Sequence, residues 1–233
     1  MKNNLKHLLA IGVLAASLGS TQSLKAGPIT ISSGHTDIFE AEYESIGGSN
    51  SIHLGVHTDT AHYEPGDVIL EVGNAAYTNT TAFNSTIVSL LGSNAWILPA
   101  DLEEAAALGV IEAGVGKVGF PAGNVTFTML GAGPDNPGNF ALFTSGSSIR
   151  LSSIGDTVGT NSFSISTGHI HYNWGFSAPG IYTFDMQASY GGVQSAVETY
   201  TFNVVPEPST YALLGAGAGI LLMARYRSLP RRA

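Results

Sequence analysis

Between residues 27 and 205 the chain is a series of short apolar runs, each closed by Gly, Asn, Ser or Pro. "SIHLGVHT", "DVILEVG", "VTFTML", "NFALFTS", "SIRLSS", "IYTFDMQAS" and "ETYTFNVV" are rich in Val, Ile, Thr, Tyr and Phe, and several alternate apolar with polar at period two. Alternation of this kind marks strands with one buried face, and the regular turn signals suit a β-sandwich or jelly roll. One segment has a different rhythm. In "PADLEEAAALG", residues 99–109, a proline, an aspartate in N-cap position, early acids and a closing glycine predict a short helix. The acids Asp101, Glu103 and Glu104 then complement the helix dipole and carry no chemistry. No second domain boundary and no internal repeat interrupts the series. The expected fold is therefore mostly β, a single β-sandwich or jelly-roll-like domain with one short helix.

Both ends depart from this pattern. The N-terminus, "MKNNLKHLLAIGVLAASLGSTQSLKA", has Lys2 and Lys6 ahead of an apolar stretch from Leu8 to Leu18 and a small-residue region ending at Ala26. It reads as a secretory signal peptide over residues 1–26, with cleavage expected after Ala26. Near the other end, Ser209 to Ala224 is uncharged, and Arg225, Arg227, Arg231 and Arg232 follow. A helix of that length reaches about 24 Å against a hydrocarbon core of about 30 Å, which makes a short stop-transfer helix with its basic end held inside. The combination of Pro206-Glu207-Pro208, a glycine-rich apolar run and an arginine cluster resembles the PEP-CTERM sorting signal of Gram-negative bacteria. The resemblance implies an exosortase-type membrane enzyme as partner, with Pro206, Glu207, Pro208, Arg225 and Arg227 as its recognised residues. It also implies transient residence in the inner membrane, then delivery to the cell surface or extracellular matrix. The expected organisation is a signal peptide (1–26), a β-sandwich (27–205) and a sorting tail with its hydrophobic helix (206–233).

Setting the ends aside changes the charge. The whole chain carries −8, but residues 27–205 hold sixteen acidic side chains against Lys117 and Arg150 alone, a net charge of −14. Such a surface repels phosphate backbones, which excludes nucleic acid as a partner, and it attracts cations. The chain has no cysteine, so a metal would need His, Asp, Glu or carbonyl ligands.

The histidines of this region come in close groups: His35, His53, His57, His62, His169 and His171. Residues two or four apart on a strand share a face. His35 and Asp37 therefore share one, as do His53 and His57, and as do His169, His171 and Asn173. Ile52, Leu54 and Val56 take the opposite face of the second segment; Ile170, Tyr172, Trp174 and Phe176 take that of the third. The apolar residues claim the core, so the histidines face solvent or a cleft. Two imidazoles on one strand face can chelate an ion, with partners from neighbouring strands completing the set. Hydrogen bonding between strands is the alternative role. Enzymatic signatures are missing: no acid follows H-x-H closely, and no HExxH, G-x-S-x-G, Walker or dinucleotide motif is present. Trp96 and Trp174 would be sugar platforms only if exposed, and Asp135 in "GAGPDNPGNFALF" reads as part of a plain loop.

The order of "GHTDI", "HYEPGDVILEVG", "LLGSNAWILPADL", "GNFALF" and "HIHYNWGFSAPGIYTF" resembles the choice-of-anchor M domain, a bacterial surface-anchored module, over residues 33–204. The chain departs from it at "AAALGV", which lacks a tryptophan, and at the expanded "GAGPDNPGN" loop. The resemblance points to His35, Asp37, His62, His169 and His171, and it favours zinc or another divalent transition metal by association. The expected function is an exported, surface-sorted, non-enzymatic protein that binds such a metal through His35, Asp37, His57, His62, His169 and His171. The alternatives are an adhesion or matrix module for polysaccharide or protein, in which the histidines are structural, and a metal-dependent enzyme.

Overall fold

The computed structural model describes residues 27–154 and 157–206. The expected signal peptide, the hydrophobic tail helix and the sorting residues Glu207, Pro208, Arg225 and Arg227 lie outside the described residues. Within them the chain is mostly β and builds three sheets consistent with a β-sandwich. The first sheet runs, in spatial order, through Ile29–Ile31, Val68–Val72, Glu198–Val204, Gly180–Tyr190, Val125–Ala132 and Ser162–Ile165, with Val193–Gln194 paired back on Gly180–Tyr190. The second runs through Thr157–Val158, Ile149–Ile154, Phe140–Phe143, Asn173–Phe176, Asn94–Leu98 and Tyr77–Asn79. The third has five strands, His169–His171, Ile111–Val118, Gly34–Ile46, Ser49–Thr58 and His62–Tyr63.

One core joins the three. Phe39 of the third sheet lies 4.8 Å, ring to ring, from both Trp174 of the second and Tyr200 of the first. Around them Phe140, Phe176, Phe184 and Phe202 pack edge to face or tilted, the arrangements that aromatic quadrupoles favour. The near-continuous apolar runs "NAWIL", "FALF" and "NWGF" belong to the centre of the second sheet, which is covered on both faces. Trp96, Leu98, Leu142 and Trp174 point into the main core, while Ala95, Ile97, Ala141 and Phe143 meet Ile87 and Leu91 on the far side. A side-chain carbon at Gly175 would come within 2.4 Å of Leu91, so the covering helix can approach only a bare backbone there.

That covering helix, Ser85–Leu91, was not expected. Its Thr86, Ile87 and Val88 are β-branched and read as strand, but the Asn84 side chain accepts from the Ile87 amide at 3.0 Å and Gly92, at φ 87°, ends the turn. Caps and burial against the sheet outweigh propensity here. The predicted helix forms as Leu102–Leu108, with Asp101 accepting from the Glu104 amide at 2.9 Å and Gly109 in the left-handed region at φ 66°.

"HIHYNWGF" is divided between two sheets. His169–His171 pairs with Ile111–Val118 in the third sheet, and Asn173–Phe176 pairs with Asn94–Leu98 and Phe140–Phe143 in the second. Asn173 therefore does not share the open face of the two histidines. It is buried, and its Oδ1 accepts from the Ala100 amide at 2.8 Å.

Candidate metal centre

The third sheet turns its apolar side chains inward and its histidines outward. Cross-strand register sets one row of His171, Gly114, Asp37, His57 and His62, and a second of His169, Gly116, Glu40 and Gly55. Glycine weakens a strand unless something must come close to the backbone. Here it does. A side-chain carbon at Gly114 would lie 2.1 Å from Asp37 Oδ1 and 2.7 Å from His169 Cε1, and one at Gly55 would lie 2.2 Å from His62 Cε1. The glycines leave the backbone bare where these acids and imidazoles lie against it.

Strict alternation would set Glu40 on the opposite side from His35 and Asp37. The Gly34–Ile46 strand shifts register between Asp37 and Glu40, and Ile38 and Phe39 are both buried. This bulge inserts one residue and flips the phase, so His35, Asp37, Glu40 and Glu42 all belong to the outward face, while Phe39 and Ala41 stay in the core.

At one end of this face His35, His169 and His171 converge. Their ring nitrogens form a group within 4.8 Å of one another, with His169 Nε2 3.4 Å from His35 Nε2 and 2.5 Å from His171 Nε2. The opposite nitrogen of each ring has an acceptor. His171 Nδ1 donates to the Ala113 carbonyl at 3.1 Å, and His169 Nδ1 donates to Asp37 Oδ2 at 3.0 Å, with Oδ1 at 2.7 Å. His35 Nδ1 faces Asp59 Oδ1 at 3.2 Å. Acceptors at Nδ1 select the tautomer that carries its proton there, which leaves three Nε2 lone pairs pointing at one place. Burial lowers the pKa of His171 below its ordinary 6.5, and the neighbouring His169 lowers it further, against the hydrogen bond to the Ala113 carbonyl, which raises it. Tetrahedral zinc with nitrogens at about 2.0–2.1 Å sets its ligands about 3.4 Å apart, the separation of His35 and His169, whereas His171 would have to draw back to join them.

Beside the trio, Glu40, Glu42 and His62 form a second group with one ligand atom each within 4.8 Å of the others. His57 Nδ1 reaches Glu40 Oε2 at 3.0 Å. His53 pairs instead with Glu64, at 3.2 Å.

The structure thus distributes the sequence-nominated residues. His35, His169 and His171 come together. Asp37 stands behind His169, as a partner of its Nδ1. His57 and His62 belong to the neighbouring group, because two strands of the sheet separate His57, and three separate His62, from His169–His171. Glu40, Glu42, Gly55, Gly114 and Gly116 were missed. Two signals were present: the change from odd-numbered to even-numbered polar positions in "HTDIFEAEYE", and alternate glycines in "IEAGVGKV". Neither tryptophan offers an open ring, since Trp174 is fully buried and Trp96 is 8% exposed. Asp135 is exposed on its loop, whose anchor is Asn136, hydrogen-bonded to both the amide and the carbonyl of Thr183.

Comparison with known protein families brings out the end of the chain: the PEP-CTERM protein-sorting motif matches residues 204–228. The chain carries a PEP-CTERM sorting signal. That signal is recognised by exosortase and implies export and cell-surface sorting in Gram-negative bacteria. No curated protein and no solved structure matches the chain. Among the described residues no helix is long and apolar enough to cross a membrane.

Proposed function

We propose that this PEP-CTERM protein is a surface-sorted, non-enzymatic binder of a divalent transition metal, zinc foremost, held by Nε2 of His35, His169 and His171. The observation that carries the reading is the arrangement around the trio. Three imidazoles aim their Nε2 atoms at one point while Asp37, the Ala113 carbonyl and Asp59 hold their far sides. Partners behind metal-ligating histidines fix ring orientation and raise ligand basicity, so this pattern suits ligation better than inter-strand bonding. Binding is favoured over turnover because the trio lies on an open sheet face. Three cavities elsewhere on the molecule are lined by no histidine. The order of segments resembling choice-of-anchor M modules supports grouping residues 33–204 with them, and the sorting tail supports passage through the inner membrane to the surface or matrix.

The test is zinc calorimetry and elemental analysis on the full chain, purified without a polyhistidine tag or chelator. A bound ion is expected, with affinity falling on acidification because a proton on Nε2 competes with the metal. His169→Ala with His171→Ala should remove this binding event, and an unchanged isotherm rejects the trio.

A further inference from the structure

We infer that the same sheet face holds a second divalent-cation site, built by Glu40, Glu42 and His62, with His57 behind it. The proposal goes beyond the histidine trio and does not need the trio to be occupied.

Glu40 is the decisive residue. It is 2% exposed, yet its two oxygens are treated unequally. Oε2 accepts from His57 Nδ1 at 3.0 Å, whereas Oε1 is buried without a hydrogen-bond partner and is 3.8 Å from His62 Nδ1. A buried carboxylate oxygen left unpaired is costly, and native proteins retain one where something absent from the protein itself completes it. Glu42 Oε1 also stands 3.8 Å from His62 Nδ1, so two carboxylate oxygens and an imidazole nitrogen surround one gap. At 3.8 Å these atoms are too far apart for hydrogen bonds, but they are at the spacing of neighbouring ligands around a common ion.

Among the described residues no lysine or arginine pairs with Glu40 or Glu42. Lys117, the basic residue of this sheet, is committed elsewhere: its Nζ donates to the Gly123 carbonyl at 2.6 Å. The bulge that sets Glu40 outward, and Gly55, which lets His62 lie against the backbone, both serve this geometry. Two oxygens and one nitrogen make a harder donor set than three imidazoles, one that suits manganese as well as zinc.

The two sites adjoin at Gly116. A side-chain carbon there would lie 2.9 Å from Asp37 Oδ2 and 3.1 Å from Glu40 Oε2, so the carboxylate behind the first site and the ligand of the second crowd the same spot. An ion in either site offsets that local repulsion and favours the other.

Manganese binding to the full chain, followed by paramagnetic resonance and by calorimetry, tests the proposal. The wild type should bind Mn²⁺ in the second site and take up two zinc ions per chain. Glu42→Gln with His62→Ala alters half-buried and exposed positions. It should abolish the manganese signal and leave one zinc, whereas His169→Ala with His171→Ala should keep the manganese signal. Loss of manganese only in the histidine-trio variant, or a wild-type stoichiometry of one unchanged by Glu42→Gln with His62→Ala, overturns the second site. Loss of the trio's zinc alone bears on the first site and leaves this one standing. Glu40→Gln gives an independent readout, because the neutral amide removes a buried anion. Its metal-free form should melt no lower than the wild type, and its melting temperature should cease to rise with Mn²⁺. A rise equal to the wild type's would also overturn the proposal.

Discussion

Gly114 shows how much a single missing side chain determines. Asp37 can reach His169 because nothing projects from the backbone between them, and any side-chain carbon would collide with both. Gly114→Ala should therefore displace Asp37 from His169 Nδ1 while leaving the apolar face of the strand intact. Loss of a partner behind a metal-ligating histidine typically costs about 10–100-fold in affinity, so a drop of that size in the zinc isotherm is expected, with the circular dichroism spectrum unchanged. Residues of this kind are hard to find in a sequence. The histidines announce themselves by chemistry and spacing, but a glycine that makes room looks like a glycine that makes a turn. Glu40 was equally obscured, since its exposure depends on a phase change in the strand and not on its own identity.

Among the elements, the Gly34–Ile46 strand holds the most information. It supplies His35 and Asp37 to one group, Glu40 and Glu42 to the other, and Phe39 to the junction of all three sheets. The bulge reconciles these demands. Deleting Ile38 would remove the inserted residue and leave simple alternation, with Asp37, Glu40 and Glu42 still outward and Phe39 and Ala41 still inward. What is lost is one fully buried isoleucine side chain, so the deletion variant should still fold and melt cooperatively, less stable by about 2–5 kcal/mol in a denaturant titration. Strands with a clean period of two, such as Ser49–Thr58 and Gly180–Tyr190, could be read directly from the sequence, as could the capped helix at Leu102–Leu108. What escaped was the allocation of strands to sheets. The run "HIHYNWGF" is one apolar-alternating stretch by pattern, but it crosses from one sheet to another at Tyr172, and only the packing of Trp174 under Phe140 and Phe39 decides where it divides. The helix Ser85–Leu91 escaped because its residues prefer strands and its cover of the second sheet is a tertiary contact.

For the molecule as a whole, the acidic core and the sorting tail act on different partners. The deficit of basic residues makes the surface a cation attractor, while the PEP-CTERM signal governs where that surface is displayed. Truncation after Val205 should separate the two. Cell fractionation and immunoblotting are expected to find the truncated protein released in soluble form and the intact chain retained at the surface, with zinc content per chain the same in both. Export, sorting and a β-rich body could all be read before any coordinates. Convergence of the histidines could not, because it depends on three-dimensional register.

His35 and His169 are 134 positions apart, and the strand between them that completes the sheet, Ile111–Val118, comes from a third region. An unfolded chain therefore offers the neighbouring pair His169 and His171 but not the set of three. The full set exists only once His169–His171 and Gly34–Ile46 both flank Ile111–Val118, so a metal held by all three imidazoles as proposed would be drawn from the compartment where folding finishes.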